Sequence, residues 1–295
     1  MMNNFMMNKK IFRKIVSLLN KIIWSGVLLM ILLVIFPLII EQFAIQKNKK
    51  EKLFVSFFDV GQGDASFIRS SKGKIILIDG GPDNLILYRL GEQMAFYERK
   101  IEAIIISHWH DDHIIGLLEV LRRYQVRYLI LAANLENSLF TPLLFEEAAK
   151  NKTKVISISS SLKLNLNNQC ELFFLNPLSL EVKENSNNSL LTKLNCLNFR
   201  VLFSGDNEKE VENALLQSSF DLSADIFKAS HHGSKTSNQE EFLKAVNPKI
   251  MVISVGINNR FNHPAPETLK IAEKLKIEVF RTDESGNLVF SANIN

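Results

Sequence analysis

Ser107-His108-Trp109-His110-Asp111-Asp112-His113 decides how this chain is read. Before it runs Ala103-Ile104-Ile105-Ile106, an apolar stretch that predicts a short buried strand. After it Ile114, Ile115, Leu117, Leu118 and Leu121 recur at helical spacing. The polar heptad therefore fills a strand-to-helix turn at the carboxyl end of a strand, where open sheets place their ligands. His108 and His110 stand two apart in extended chain, so both imidazoles leave on one side and suit one metal ion. Asp112 and His113 fall where the helix begins and point elsewhere, toward a second ion. Asp111 reads more simply as the helix cap.

Histidine usage strengthens this. The chain has six His, and the three outside the heptad are His231, His232 and His263. The first two open His231-His232-Gly233-Ser234 after the strand-like Ile226-Phe227, and the third lies in Asn262-His263-Pro264. No imidazole is left for ordinary core or surface duty. Adjacent residues point apart, so either His231 or His232 serves as a ligand, and the choice stays open.

His108, His110, Asp112 and His113 spell HxHxDH, the signature of the metallo-β-lactamase superfamily. Further segments resemble one branch, the soluble domain of ComEC-type DNA-uptake proteins: Phe58-Asp59-Val60-Gly61-Gln62-Gly63-Asp64, Ile78-Asp79-Gly80-Gly81, Ser204-Gly205-Asp206, the His231 turn, and Asn258 to Pro264. They keep the family's order from about Leu53 to the C-terminus.

That resemblance implies an α/β fold, the αββα sandwich, and two divalent metal ions, Zn or Mn. It implies that Asp206 bridges the metals and that Asp112 takes part in catalysis. His263 becomes a proton donor or phosphate contact, and Asp79 the carboxylate that fixes a ligand imidazole. Asp59 and Asp64 orient the site or close their own turn. Asn188, Ser189, Ser234 and Arg260 are candidate substrate contacts, Arg260 for an anionic oxygen. One departure matters. No histidine stands between His113 and His231, so the usual third imidazole of the first site is missing and Asn187-Asn188-Ser189 occupies its region. An amide binds transition metals poorly, which favours a weakly held first ion or Mn in place of Zn.

The N-terminal part is of another character. Residues 1–21 form a basic tail, 22–40 run uncharged for long enough to cross a bilayer, and 41–52 are a charged linker to a hydrolase domain at 53–295. An unbroken apolar run with no polar face predicts an uncleaved membrane anchor rather than a core helix or a cleaved signal. Flanking charge weakly places the catalytic domain outside the cell membrane. Residues 1–52 carry nine basic and two acidic residues, so the chain's +4 becomes +7 there and −3 in the remainder. The domain thus lacks the net basic field of a nucleic-acid groove; only Arg122, Arg123 and Arg127 cluster, and they read as a solvated helix face.

Cys170 and Cys196 read as small core residues that can pair only if the domain is exported. Gly61-Gln62-Gly63 lacks the third glycine and following helix of a dinucleotide fingerprint; no organic cofactor is implied and no protein partner is legible. Three functions remain in view. The leading one is a membrane-anchored phosphodiesterase or nuclease acting on a phosphodiester such as DNA; the others are a hydrolase of phosphorylcholine esters or lactones, and a non-catalytic metal-binding protein.

Overall fold

The computed structural model describes residues 2–41, 52–133, 138–183, 185 and 187–293, with side chains from Phe12 onward. The chain divides into two compact units, Met1–Lys49 and Lys50–Asn295. The first is helical: α1 (Met2–Met30) continues through a widened turn at Ile31–Ile35 and remains helical to Glu41. The basic tail and the apolar run are therefore one helix, with no break at residue 21. Phe12–Glu41 reaches a mean hydropathy of 2.8 with none of that window buried, so it is long and apolar enough to cross a membrane. The linker expected at 41–52 lies, but for its two ends, outside the described residues.

Two seven-stranded sheets make up the second unit. The first holds β1 (Lys52–Phe57), β2 (Ser66–Arg69), β3 (Ile75–Ile78), β4 (Lys100–Ile105), β5 (Gln125–Ala132) and β6 (Lys154–Ile158), with β14 (Leu288–Asn293) beside β1. The second runs β13 (Glu278–Arg281), β12 (Ile250–Ile253), β11 (Ile226–Lys228), β10 (Phe199–Phe203), β9 (Leu191–Cys196), β8 (Cys170–Leu175), β7 (Ser161–Asn165). The sheets pack face to face over Phe57, Ile105, Leu194 and Phe203. The helices α2 (Leu85–Gln93), α3 (Asp111–Arg123) and α4 (Thr141–Lys150) cover the outer side of the first sheet. On the second sheet's outer side lie α5 (Lys209–Gln217), α6 (Glu240–Val246) and α7 (Pro266–Lys274). Both faces of the central strands are thus buried, which is why β3 is apolar throughout and β4 and β10 end in unbroken apolar runs, Ala103–Ile105 and Val201–Phe203. This is the αββα sandwich.

Strand direction sets up the functional edge. β3, β4, β5 and β6 are parallel neighbours, as are β10, β11 and β12. The loops leaving β3, β4, β10, β11 and β12 therefore start from the carboxyl ends of parallel strands, and these loops carry Asp79, His108 to His113, Asp206, His231-His232 and His263. Helix α2 ends at Gln93, where Met94 turns to extended backbone.

Cys170 and Cys196 sit opposite each other on β8 and β9, with Cα atoms 4.2 Å apart, and are joined by a disulfide. Both are buried, as expected of core residues. What the sequence did not show is the register that places them in one cross-strand pair.

Candidate metal centre

The turn after β4 brings His108, His110 and His113 together, with ring centroids of His108 4.5 Å from His110 and 4.2 Å from His113. Asp206, from the turn after β10, reaches into this cluster from the other sheet. Its Oδ2 lies 3.7 Å from His108 Nε2 and its Oδ1 3.5 Å from His113 Nε2. His232 adds its Nε2 at 3.8 Å from Asp206 Oδ2 and 3.3 Å from Asp112 Oδ2. The metal-competent groups include His108, His110 and Asp206, and Asp112, His113 and His232; Asp64 enters two more, with Asp79 and His113 and with Asp206 and His232. Asp206 stands between the first two, its Oδ2 near both His108 and His232 and its Oδ1 toward His113.

Hydrogen bonds on the far side of each ring fix which nitrogen faces inward. His232 Nδ1 lies 2.9 Å from the Ser254 carbonyl, which can only accept, so this nitrogen carries the proton. His113 Nδ1 donates to Asp79 Oδ2 at 2.9 Å. Ser107 Oγ donates to the same carboxylate oxygen at 2.7 Å and accepts from His108 Nδ1 at 3.0 Å. With Nδ1 engaged, each of the three imidazoles turns its Nε2 inward. Those Nε2 atoms and Asp206 Oδ1 are all buried without a hydrogen-bond partner. Buried polar atoms are almost always paired; three unpartnered ring nitrogens and one carboxylate oxygen converging in this way fit divalent cations.

Charge points the same way. Burial alone would lower the His113 pKa, but Asp206, Asp112 and Asp79 raise it well above the usual imidazole range. Against the same burial, Asp206 and Asp64 lift His232 to about 9. His108, buried and next to His113, is held well below its ordinary value. The carboxylates of Asp112 and Asp206 are pulled down by these imidazoles despite burial. Without cations the protons on His113 and His232 offset the negative charge; bound metal would displace them.

Of the two adjacent histidines, His232 is the one buried in the cluster, while His231 keeps 24% of its side chain exposed. Both have positive φ, 48° and 53°. Such backbone is costly for non-glycine residues, about 1–3 kcal/mol each, and neighbouring contacts hold it. Asn238 accepts from Ser230 N and donates to its carbonyl, and buried Glu212 accepts from Asn238 N at 2.6 Å. His231 Nε2 lies 3.8 Å from Asp206, and His263 is 5.5 Å from His231 by ring centroids. Burial first, then the charges of His232 and His231, lower the His263 pKa to about 4, so its ring is neutral. Asn259 clamps the His263 backbone, accepting from its N–H at 2.9 Å and donating to its carbonyl at 2.7 Å.

Several candidates stand elsewhere than the sequence suggests. Asp59 turns away to Arg89 (3.3 Å) and the Gly61 N–H (3.2 Å), so it closes its own turn. Ser189 Oγ accepts from the Asp206 N–H at 2.8 Å, which positions the aspartate and occupies the hydroxyl. Ser234 Oγ is taken up by Thr236. Asn188 is buried, with Nδ2 donating to the Lys183 carbonyl and Oδ1 unpartnered. Arg260 is exposed and lies over the Phe261 ring, 4.9 Å from its centroid. Asp111 does not cap α3: His110 holds the cap position, and the Asp111 carboxylate accepts from Ser138 Oγ instead.

Asp64 belongs behind the metal ligands, its Oδ1 3.4 Å from His232 Nδ1 and its Oδ2 3.8 Å from His113 Nδ1. Gly63 puts it there: a Cβ at this position would sit 2.3 Å from the Asp112 carbonyl oxygen. Lys228, the last residue of β11, forms a fully buried ion pair with Asp64. Nothing in the sequence singles out Lys228, which looks like the edge of a strand; a charged residue between Phe227 and Ala229, both apolar, is the one available signal.

Residues 58–160 match the Metallo-beta-lactamase superfamily. The chain has the metallo-beta-lactamase fold. It is similar to ComE operon protein 3 of Bacillus subtilis, 26% identical over 253 residues that take in 80% of this chain and 32% of that protein. It is also similar to Recombination protein 2 of Haemophilus influenzae, 27% identical over 242 residues, 79% of this chain and 28% of that one. The chain thus spans about a third of the length of the curated relatives it matches. Among solved structures, the metallo-beta-lactamase fold protein YhfI from Bacillus subtilis superposes with a TM-score of 0.57 at 13% identity, over 81% of this chain and 100% of that one.

Proposed function

We propose that this chain is a membrane-anchored hydrolase that cleaves a phosphodiester with metal-activated water, nucleic acid being the leading substrate. The observation that carries the reading is the convergence of three buried, unpartnered Nε2 atoms with an orphaned oxygen of Asp206. His108, His110 and Asp206 would hold one cation, Zn or Mn, and Asp112, His113 and His232 a second, with Asp206 shared. Divalent cations bound there supply a water of lowered pKa and neutralise charge building on a phosphate.

The chain's own groups do the rest. Asp79, Ser107 and the Ser254 carbonyl keep the ligand rings aimed, so the centre is organised before substrate arrives. Neutral His263, beside the cluster, is positioned to hydrogen-bond the leaving or a flanking phosphate oxygen. Arg260, exposed on the same loop, can bind a flanking phosphate oxygen. The phosphodiester choice is supported by relatives whose printed names are Recombination protein 2 and Competence protein ComA, and the helix Phe12–Glu41 supports the anchor. The Cys170–Cys196 disulfide favours an oxidising compartment, hence a domain outside the cytoplasm.

The test is turnover by the purified full-length chain, loaded with Mn or Zn, on a chromogenic phosphodiester, on labelled single- and double-stranded DNA, and on a lactone. Metal-dependent cleavage of the phosphodiester and DNA, abolished by chelation and by Asp206→Asn, is expected. Lactone turnover alone would overturn the substrate class, and no metal-dependent turnover on any of them would overturn catalysis.

A further inference from the structure

The end of the first sheet away from the metal centre carries a cationic trough. Lys72 and Lys74 from the β2–β3 turn, Lys100 opening β4, Arg127 in β5, and Lys152 and Lys154 at the start of β6 line a depression of about 530 Å³. Its floor is Ile75, Ile101 and Val126, all buried. One acid lies among them, Glu102, and it is paired with Arg127 at 3.1 Å. Among the described residues the five lysines form no ion pair. Residues 53–295 total −3, so this concentration of unneutralised positive charge runs against the domain's own balance.

Its position tells what it meets. β1 pairs antiparallel with β2, and β2 with β3, so β1 runs parallel to β3 and begins at the same end. Lys52, where the chain enters the domain from the apolar helix, is therefore on the trough's end of the sheet. At roughly 4.8 Å per strand it is about 10 Å from the start of β3 and about 24 Å from that of β6. The segment joining helix and domain adds Lys47, Lys49 and Lys50. The metal centre follows the opposite ends of β3 and β4, about 20 Å away along a six-residue strand.

We infer that this face is a lipid-binding surface that rests on the anionic headgroups of the bilayer holding the N-terminal helix. The inference builds on the membrane-anchor reading. Clustered lysines next to a membrane span are drawn to anionic lipid, and the attraction decays within a Debye length, about 8 Å at physiological salt, so the face must lie close to the headgroups. A nucleic acid lying in the trough would have the length of the sheet between it and the metals, so it would not present a bond for cleavage. Seated on lipid, the domain turns its His/Asp cluster to the aqueous phase, open to polymeric substrate.

The experiment uses the full chain in nanodiscs, with Lys152→Cys as a reporter for a membrane-impermeant maleimide and Ser219→Cys, exposed on the second sheet's side, as control. Labelling at 152 should slow several-fold in discs containing phosphatidylglycerol compared with pure phosphatidylcholine, and recover in high salt, while position 219 is unaffected. Reversing Lys72, Lys74, Lys100 and Lys154 to Glu should abolish the protection and leave turnover of a small phosphodiester intact. Equal labelling in both discs would overturn the inference. So would protection by a single-stranded oligonucleotide in phosphatidylcholine discs with none from phosphatidylglycerol, which would assign the face to nucleic acid. Vesicle flotation separates this from the anchor. A chain that fails to float with phosphatidylcholine has no working anchor; if it still floats with phosphatidylglycerol and the reversal stops it, the face stands, and if it floats with neither, the face falls too.

Discussion

Replacing Lys228 by Met should destabilise the domain by about 3 kcal/mol, the lower part of the range for breaking a buried ion pair from one side. Lys228 and Asp64 keep only 2% and 5% of their side chains exposed, so water cannot replace the lost ammonium. At an effective dielectric of about 20, a contact pair of unit charges interacts by roughly 4 kcal/mol or more. Part of this is recovered because His232 Nδ1 remains 3.4 Å from Asp64 Oδ1. Methionine keeps most of the buried stem, which limits any cavity contribution. Urea unfolding followed by fluorescence of buried Trp109, in a Trp24→Phe background with chelator present, measures the cost. Adding Asp64→Asn should return much of it, since the pair is then removed from both sides, and the double-mutant cycle should show a coupling of about 2 kcal/mol or more. A single-mutant cost under about 1 kcal/mol, the value for an exposed pair, would refute the reasoning.

Three further outcomes follow from particular contacts. Burial raises the Glu212 pKa to about 7 in the folded chain, against 4.5 unperturbed, so the folded state holds the extra proton between these values. Stability from this group is complete below pH 4.5 and is lost as pH rises toward 7, about 3 kcal/mol in all; Glu212→Gln should flatten that part of the difference curve in pH-dependent urea titrations, and an unchanged slope would count against it. Gly116→Ala should destabilise by roughly 1–3 kcal/mol, because the added Cβ would meet the backbone oxygens of Gly80 and Asp83 at 2.0 and 2.6 Å; a gain in thermal midpoint, as expected for Ala in an open helix, would contradict the close approach. Deleting residues 1–46 should move the protein from the carbonate-washed membrane pellet to the supernatant, and an unchanged distribution would exclude the anchor.

Much of the centre is legible in the sequence because it is local. His108 to His113 carry their ligand chemistry in one turn, and the apolar run before and the helical spacing after them locate that turn at a strand's carboxyl end. The apolar N-terminal run is equally plain, since length and absence of charge are one-dimensional properties. The choice between His231 and His232 is not legible: alternation says only that they diverge, and two consecutive left-handed residues held by Asn238 decide which one is buried. Asp59 and Asp64 are five residues apart in one glycine-rich segment, yet one closes its own turn and the other backs the ligands, because the chain reverses at Gly63 against Asp112.

From composition and order alone this protein is already an apolar helix followed by an α/β domain whose scarce imidazoles are candidate metal ligands. Three-dimensional packing decides what pairs with what. It sets Lys228 behind Asp64, joins Cys170 to Cys196, and gathers six cations from four separate segments into one trough. Those relations join residues from 26 to 164 positions apart in the two pairs, and strand register and sheet stacking, which no local pattern encodes, bring them into contact.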